Sequence, residues 1–141
     1  MDWIDDSVAV GGWKDAISVF RRKEEGVELI IDARTLFDRG CDLKHTPRIE
    51  QLLRAGDMLV ALSDLDAKVL IRCRKGKDRT PFLAMIYVSK KCGLSYRDAY
   101  ARVKEKRPRT AYHWDWVEML ESGKKRAPSL IPRRILGRSR P

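Results

Sequence analysis

The stretch Val69-Leu70-Ile71-Arg72-Cys73-Arg74-Lys75-Gly76-Lys77-Asp78-Arg79-Thr80-Pro81 decides the reading of this chain. Val69-Leu70-Ile71 is short, apolar and rich in β-branched residues, so it reads as a buried strand. Thr80 and Pro81 supply the cap and the first-turn proline of a helix that runs through Phe82, Leu83, Met85, Ile86 and Val88 and stops near Gly93. A loop that leaves a strand and enters a helix exposes backbone N–H groups in a concave nest, and the helix dipole adds positive potential there. Such a loop holds an anion. Cys73 at its start is a candidate nucleophile, because the same donors and the guanidinium of Arg79 favour thiolate. Arg79, six positions on, can fork two N–H groups onto phosphate oxygens, which Lys cannot reproduce. Thr80 can donate its hydroxyl to the sulfur. Arg74, Lys75, Gly76, Lys77, Asp78 and Arg79 are the candidate anion-binding residues.

Upstream, Val8-Ala9-Val10 closed by Gly11-Gly12 and Val27-Glu28-Leu29-Ile30-Ile31 read as two further strands, with Trp13, Ile17 and Phe20 at helical spacing between them. Pro47 sits where a helix can start, and Ile49, Leu52, Leu53, Leu59 and Val60 supply its apolar face up to the turn at Ser63-Asp64-Leu65-Asp66. Downstream, Ser95 caps a helix with Tyr96, Ala99, Tyr100 and Val103 on one face, which Pro108 bars from continuing. A last helix carries Trp114, Trp116, Val117 and Leu120. Strands interleaved with helices early, then helices alone, predict an α/β fold with a small, mainly parallel sheet flanked by helices.

At 141 residues the chain is the size of one domain, and it is read as a monomer. Its 43% apolar and 35% charged residues are too apolar for disorder. The net charge of +10 is concentrated at the end: Ser122 to Pro141 holds seven Lys/Arg and no acid. We therefore divide the chain into a domain of residues 1–121 and a basic tail of residues 122–141. Pro128, Pro132 and Pro141 predict an extended tail, which is suited to an acidic partner or nucleic acid, or else clamps onto the domain through Leu130, Ile131, Ile135 and Leu136. The absence of Asn and the single Gln, Gln51, amid abundant charge resemble hyperthermophile composition and suggest an archaeal source. No apolar run approaches membrane-spanning length, and the acidic Met1-Asp2-Trp3-Ile4-Asp5-Asp6 is unlike a secretory signal, so the expected location is cytoplasmic. Cys41, Cys73 and Cys92 are odd in number and form no close pair, which suggests neither a disulfide framework nor a metal site.

The C-x5-R-T pattern of Cys73 to Thr80, between its strand and its helix, resembles the signature of the cysteine-dependent protein tyrosine phosphatases, in particular their small dual-specificity branch. Val8-Ala9-Val10-Gly11 resembles the early strand of that family, and Lys106-Arg107-Pro108 its late R-P before the last helix. The resemblance covers most of residues 1–121. It implies metal-independent and cofactor-free hydrolysis of phosphate monoesters on phosphorylated proteins, through a cysteinyl-phosphate intermediate. It also implies an upstream Asp as general acid. Asp42, 31 positions before Cys73, is favoured over Asp38, 35 positions before it, because Asp42-Leu43-Lys44-His45-Thr46-Pro47 resembles the acid loop of the branch. Arg72 stands where the family usually has His, and Pro81 where it usually has Gly. By offset from Arg107-Pro108, His113 occupies the place of a water-positioning Asn or Gln, though a surface helix residue fits equally, and His45 is given no role. Lys77-Asp78-Arg79-Thr80 resembles the K-D-R-T of some bacterial tyrosine and phosphoinositide phosphatases. The alternatives are a phosphate-binding pseudophosphatase, a phosphatase of phosphoinositides or RNA 5' ends, and a rhodanese-like sulfurtransferase, whose loop has fewer residues.

Overall fold

The computed structural model describes residues 1–40 and 44–130, the last seven of these as backbone alone. The expected strands form around Val69–Arg72 (β6). Val8–Gly11 (β2) and Leu29–Asp32 (β3) flank it on either side, both parallel to it, while Asp2–Trp3 (β1) pairs antiparallel with β2, in the order β1-β2-β6-β3. Every residue of β2 and β6 is buried, as expected of parallel strands covered on both faces. The register sets Gly11, Arg72 and Asp32 side by side at the C-terminal edge, where an α/β sheet opens to ligands.

One face of the sheet carries the short helix Trp13–Ile17 (α1), followed by Val19–Glu25 (α2). The helical spacing of Trp13, Ile17 and Phe20 does not make one buried helix. Ser18 ends α1 and caps α2, its Oγ accepting from the Arg21 amide, and Ile17 and Phe20 are left exposed. The other face carries Arg79–Cys92 (α4), buried without interruption from Thr80 to Val88. Helix α4 is wedged between the sheet and two amphipathic helices, Ile49–Asp64 (α3) and Tyr96–Lys106 (α5). Gly93, at φ +66°, closes α4, and Ser95 caps α5 by accepting from the Asp98 amide, both as the sequence predicts.

Two features depart from expectation. Pro47 does not open α3; it ends Phe37–Arg39 (β4) paired with His45–Pro47 (β5), an antiparallel hairpin, and α3 starts two residues later. The last helix, Trp114–Leu130 (α6), runs past residue 121, so residues 122–130 are helical rather than extended; a single interior glycine such as Gly123 costs only about 1 kcal/mol. Residues 131–141, with the rest of the expected tail, lie outside the described residues. Phe37, Phe82, Tyr100 and Trp116 form an aromatic cluster of centroid separations 5.1–6.3 Å that fixes β4 and α6 onto α4.

Candidate active site

The loop from Cys73 to Asp78 leaves the sheet at its C-terminal edge and enters α4 at Arg79. Four successive carbonyls of this loop are held from outside. The Trp13 amide donates to Arg74 O at 3.0 Å, Arg107 donates to Lys75 O through Nη2 at 3.1 Å and to Gly76 O through Nε at 3.0 Å, and the Ala111 amide donates to Lys77 O at 2.9 Å. Because C=O and N–H point opposite ways across a trans peptide, anchoring these carbonyls outward turns the amides of Lys75, Gly76, Lys77 and Asp78 inward. None of those four amides donates to another backbone carbonyl outside the helices among the described residues. Gly76 allows the curl: its φ is +65°, and a Cβ there would lie 2.5 Å from Gly11 O. Arg107 is 5% exposed and spends its third nitrogen, Nη1, on Asp2 at 2.9 Å.

Cys73 sits at the start of this curl, 2% exposed, with a free thiol. Arg79 is half-buried at the helix entrance, and its guanidinium has no ion-pair partner among the described residues. Thr80 is fully buried and its hydroxyl has no hydrogen-bond partner, so the expected bond to the Cys73 sulfur is not made here. Within the first turn of α4 the Thr80 hydroxyl would turn back toward the Gly76 carbonyl, and Arg107 already occupies that acceptor. Arg72, in place of the family's His, donates through Nη1 to Asp32 at 3.1 Å. Arg34 forks the same carboxylate at 2.7–3.2 Å. The Arg34 hydrogen bonds, helped by the charge of Arg72, hold the Asp32 carboxyl below its ordinary range against the effect of burial.

The second wall is the β4–β5 hairpin. Its register pairs Phe37 with Pro47, Asp38 with Thr46 and Arg39 with His45. Opposed residues share a face and successive ones alternate, so Arg39 and His45 lie on the face of Phe37, which packs on Phe82 and Trp116. Asp38 lies on the other face, 74% exposed and 3.9 Å from Arg48. Asp42 and Cys41 fall between the paired strands, outside the described residues; Gly40 N donates to Lys44 O at 2.8 Å across that tip. Desolvation, followed by the positive charges of Arg79 and Arg39, lowers the His45 pKa below its ordinary value.

His113 belongs to the site. Its Nε2 lies 2.9 Å from Asp78 Oδ1, its ring stacks on Trp116 at 3.7 Å, and its amide donates to the Tyr100 hydroxyl at 3.2 Å. The structure thus gathers Cys73, Gly76, Asp78, Arg79 and Thr80 with His113 and Arg107, and sets Asp38 on the face of the hairpin opposite Phe37. The side chains of Arg74, Lys75 and Lys77 are exposed, so the cradle is built from their backbone. Arg107 was visible beforehand only as part of a motif. The offset of His113 from Arg107-Pro108 pointed to it, whereas its contacts with Asp78 and Trp116 depend on helix docking, for which a linear pattern has no sign. No group of three or more His, Cys, Asp or Glu side chains able to hold a metal occurs among the described residues, and no described helix is long and apolar enough to cross a membrane.

No family model matches the chain, and no curated protein sequence does. Solved structures do. Human DUSP28 superposes with a TM-score of 0.69 at 17% identity, covering 89% of this chain and 98% of that one. A human tyrosine phosphatase-like serine/threonine/tyrosine-interacting protein gives 0.72 at 17%, covering 89% and 95%. Tk-PTP in its active form gives 0.64 at 22%, covering 89% and 96%. The chain has the fold of the small dual-specificity phosphatases, with sheet, loop and flanking helices in the expected places.

Proposed function

We propose that the protein is a phosphatase that hydrolyses phosphate monoesters on phosphorylated tyrosine, serine or threonine through a cysteinyl phosphate. The observation that carries this reading is the outward anchoring of four loop carbonyls beside a buried Cys73, which turns the loop amides inward next to the half-buried Arg79. There a phosphoryl group would accept the amides and the guanidinium fork, which match the charge that builds up on its equatorial oxygens. Sγ of Cys73 attacks phosphorus, the sulfur–phosphorus bond forms, and the ester oxygen departs with a proton from Asp42. Water then attacks phosphorus, Asp42 takes its proton, and inorganic phosphate leaves as the thiolate is restored. We assign the acid to Asp42 because Asp42-Leu43-Lys44-His45-Thr46-Pro47 resembles the acid loop of the small dual-specificity branch, whereas Asp38 is 74% exposed and 3.9 Å from Arg48. The buried, unpartnered Thr80 hydroxyl is the donor for the sulfur as it becomes a leaving group. Catalysis needs residues 1–121, since Leu120 is the last buried side chain among those described; the segment 122–141 serves binding.

The test is acid quench of the enzyme during p-nitrophenyl phosphate turnover, followed by intact-mass analysis. A phosphate adduct on Cys73, absent in Cys73→Ser, supports the reading. Phosphate or vanadate binding without any turnover would establish a pseudophosphatase instead.

A further inference from the structure

Behind the phosphate loop lies a second concavity of about 480 Å³. Its lining supplies three of the four bonds that anchor the loop carbonyls: the Trp13 amide donates to Arg74 O at 3.0 Å, and Arg107 donates to Lys75 O and Gly76 O at 3.1 and 3.0 Å. Six cationic side chains surround it: Lys14, Arg21, Arg74, Lys75, Arg107 and Arg109. Its one carboxylate, Asp15, is 7% exposed and already saturated by the Gly12 amide at 3.1 Å, Arg21 at 2.7 Å and the chain's amino group at 3.2 Å. Arg21 and Arg107 are committed, to Asp15 and Asp2. Lys14, Arg74, Lys75 and Arg109 have no acidic partner among the described residues. Four like charges around one hollow repel one another, and an anion in the hollow relieves that repulsion.

The same hollow holds an aromatic ring. Trp13 lines it, 43% exposed, and the Lys14 ammonium lies 5.8 Å from the centre of the Trp13 ring. An indole stacks on any nucleobase, and Lys and Arg hold phosphate oxygens, so a flat apolar face beside unpaired cations fits one molecule that carries both a base and several phosphates. Inorganic phosphate would leave the ring bare. A nucleoside triphosphate engages ring and cations together, and a hollow of this volume lies at the low end of ordinary small-molecule pockets. Such a ligand sits at the back of the loop whose front receives phosphate. Both draw on the positive potential of Arg74 and Lys75, and Gly12 packs against this stretch so closely that a Cβ there would lie 2.9 Å from Arg74 O. Like charges on the two sides of one backbone layer oppose each other.

We infer that this hollow is an effector site for a nucleoside triphosphate, with the base on Trp13 and the phosphates on Lys14, Arg74, Lys75 and Arg109, and that its occupant weakens phosphate binding over Cys73. Binding here does not depend on the phosphatase reading, and Cys73 takes no part in it. Calorimetry with ATP on the Cys73→Ser protein tests the site. Trp13→Ala should cost ATP about tenfold in affinity and inorganic tripolyphosphate, which has no base, less than about twofold, while Trp13→Phe keeps most of the ATP affinity. Lys14→Ala combined with Arg109→Ala should weaken both ligands about tenfold or more. Arg79→Met, which removes the phosphate fork, and Arg54→Ala on α3 should each leave ATP affinity within about twofold. In the wild type, ATP should weaken vanadate binding about fivefold or more and then level off, and vanadate should weaken ATP binding by the same factor. A vanadate affinity that keeps falling as ATP rises, or ATP binding lost in Arg79→Met, would place ATP in the catalytic loop and overturn the site. Equal losses for ATP and tripolyphosphate in Trp13→Ala would overturn the ligand class, as would tighter binding of an oligoribonucleotide than of ATP. Unchanged vanadate affinity would overturn the coupling. ATP held in the hollow by a protein that turns over no phosphate ester would sink the phosphatase reading and leave the site standing.

Discussion

Replacing Arg107 by Met keeps most of the side-chain volume and removes the guanidinium that clamps the loop. Two of its bonds end on the buried carbonyls of Lys75 and Gly76, at 3.1 and 3.0 Å. A charged donor to a neutral acceptor is worth about 1.5–3 kcal/mol, so the low end for two such bonds gives about 3 kcal/mol, with both carbonyls left unsatisfied. The third bond, to Asp2, adds less than about 1 kcal/mol, because that carboxylate is 40% exposed and screened by solvent. Arg107→Met should therefore lose roughly 3–4 kcal/mol in urea unfolding, which for a domain of this size lowers the melting temperature by roughly 10 °C. With two carbonyls free to rotate, the amides lose their common direction, and p-nitrophenyl phosphate hydrolysis should fall by about a hundredfold or more at temperatures where the variant is folded. Arg107→Lys should recover one carbonyl bond and a minority of the loss. A variant that unfolds within about 1 kcal/mol of wild type and keeps its activity within threefold would refute the clamp.

Gly76→Ala should be destabilised by more than about 2 kcal/mol, from left-handed backbone and contact with Gly11 O, as read from the urea midpoint; a neutral change would mean that the loop relaxes freely. Asp42→Asn should slow cleavage of an alkyl phosphate by about a hundredfold and of p-nitrophenyl phosphate far less, with Asp38→Asn near wild type; the reverse ranking would transfer the acid to Asp38. His45 has a folded pKa below its ordinary value, so the unfolded chain binds its proton first as pH falls and stability is lost from about 6.5 downward; His45→Gln should flatten that part of the stability profile. Vanadate on Arg79 should raise the His45 pKa in an NMR titration, and an unmoved titration would place the ring outside the site.

The separation of local from long-range information is clearest at the loop. The strand before Cys73 and the helix after it are written in neighbouring residues, because strand propensity and first-turn proline act over a few positions, but the helix starts at Arg79 with Asp78, not the expected Thr80, at its N-cap. Gly93 and Ser95 are likewise written locally. Expectation failed where a local signal had a tertiary competitor. Ser18 divided a helix whose apolar spacing looked continuous, and Pro47 became a strand end rather than a helix start.

Within the site, the sequence alone singled out Cys73 and Arg79, the residues proposed as nucleophile and phosphate fork, and the basic loop that separates strand from helix. Only the tertiary structure decided where the loop's amides face, since that depends on Trp13, Arg107 and Ala111 donating from three other segments of the chain. It also decided that His45 shares the face of Phe37 while Asp38 lies on the other, because a shift of one residue in the β4–β5 register would exchange the faces. Arg72 finding Asp32, 40 residues away, and His113 finding Asp78, 35 residues away, are likewise products of sheet register and helix docking. Side-chain type is a property of position in the chain, but the direction of a dipole is set by whatever packs behind it, and only the folded chain brings those groups together.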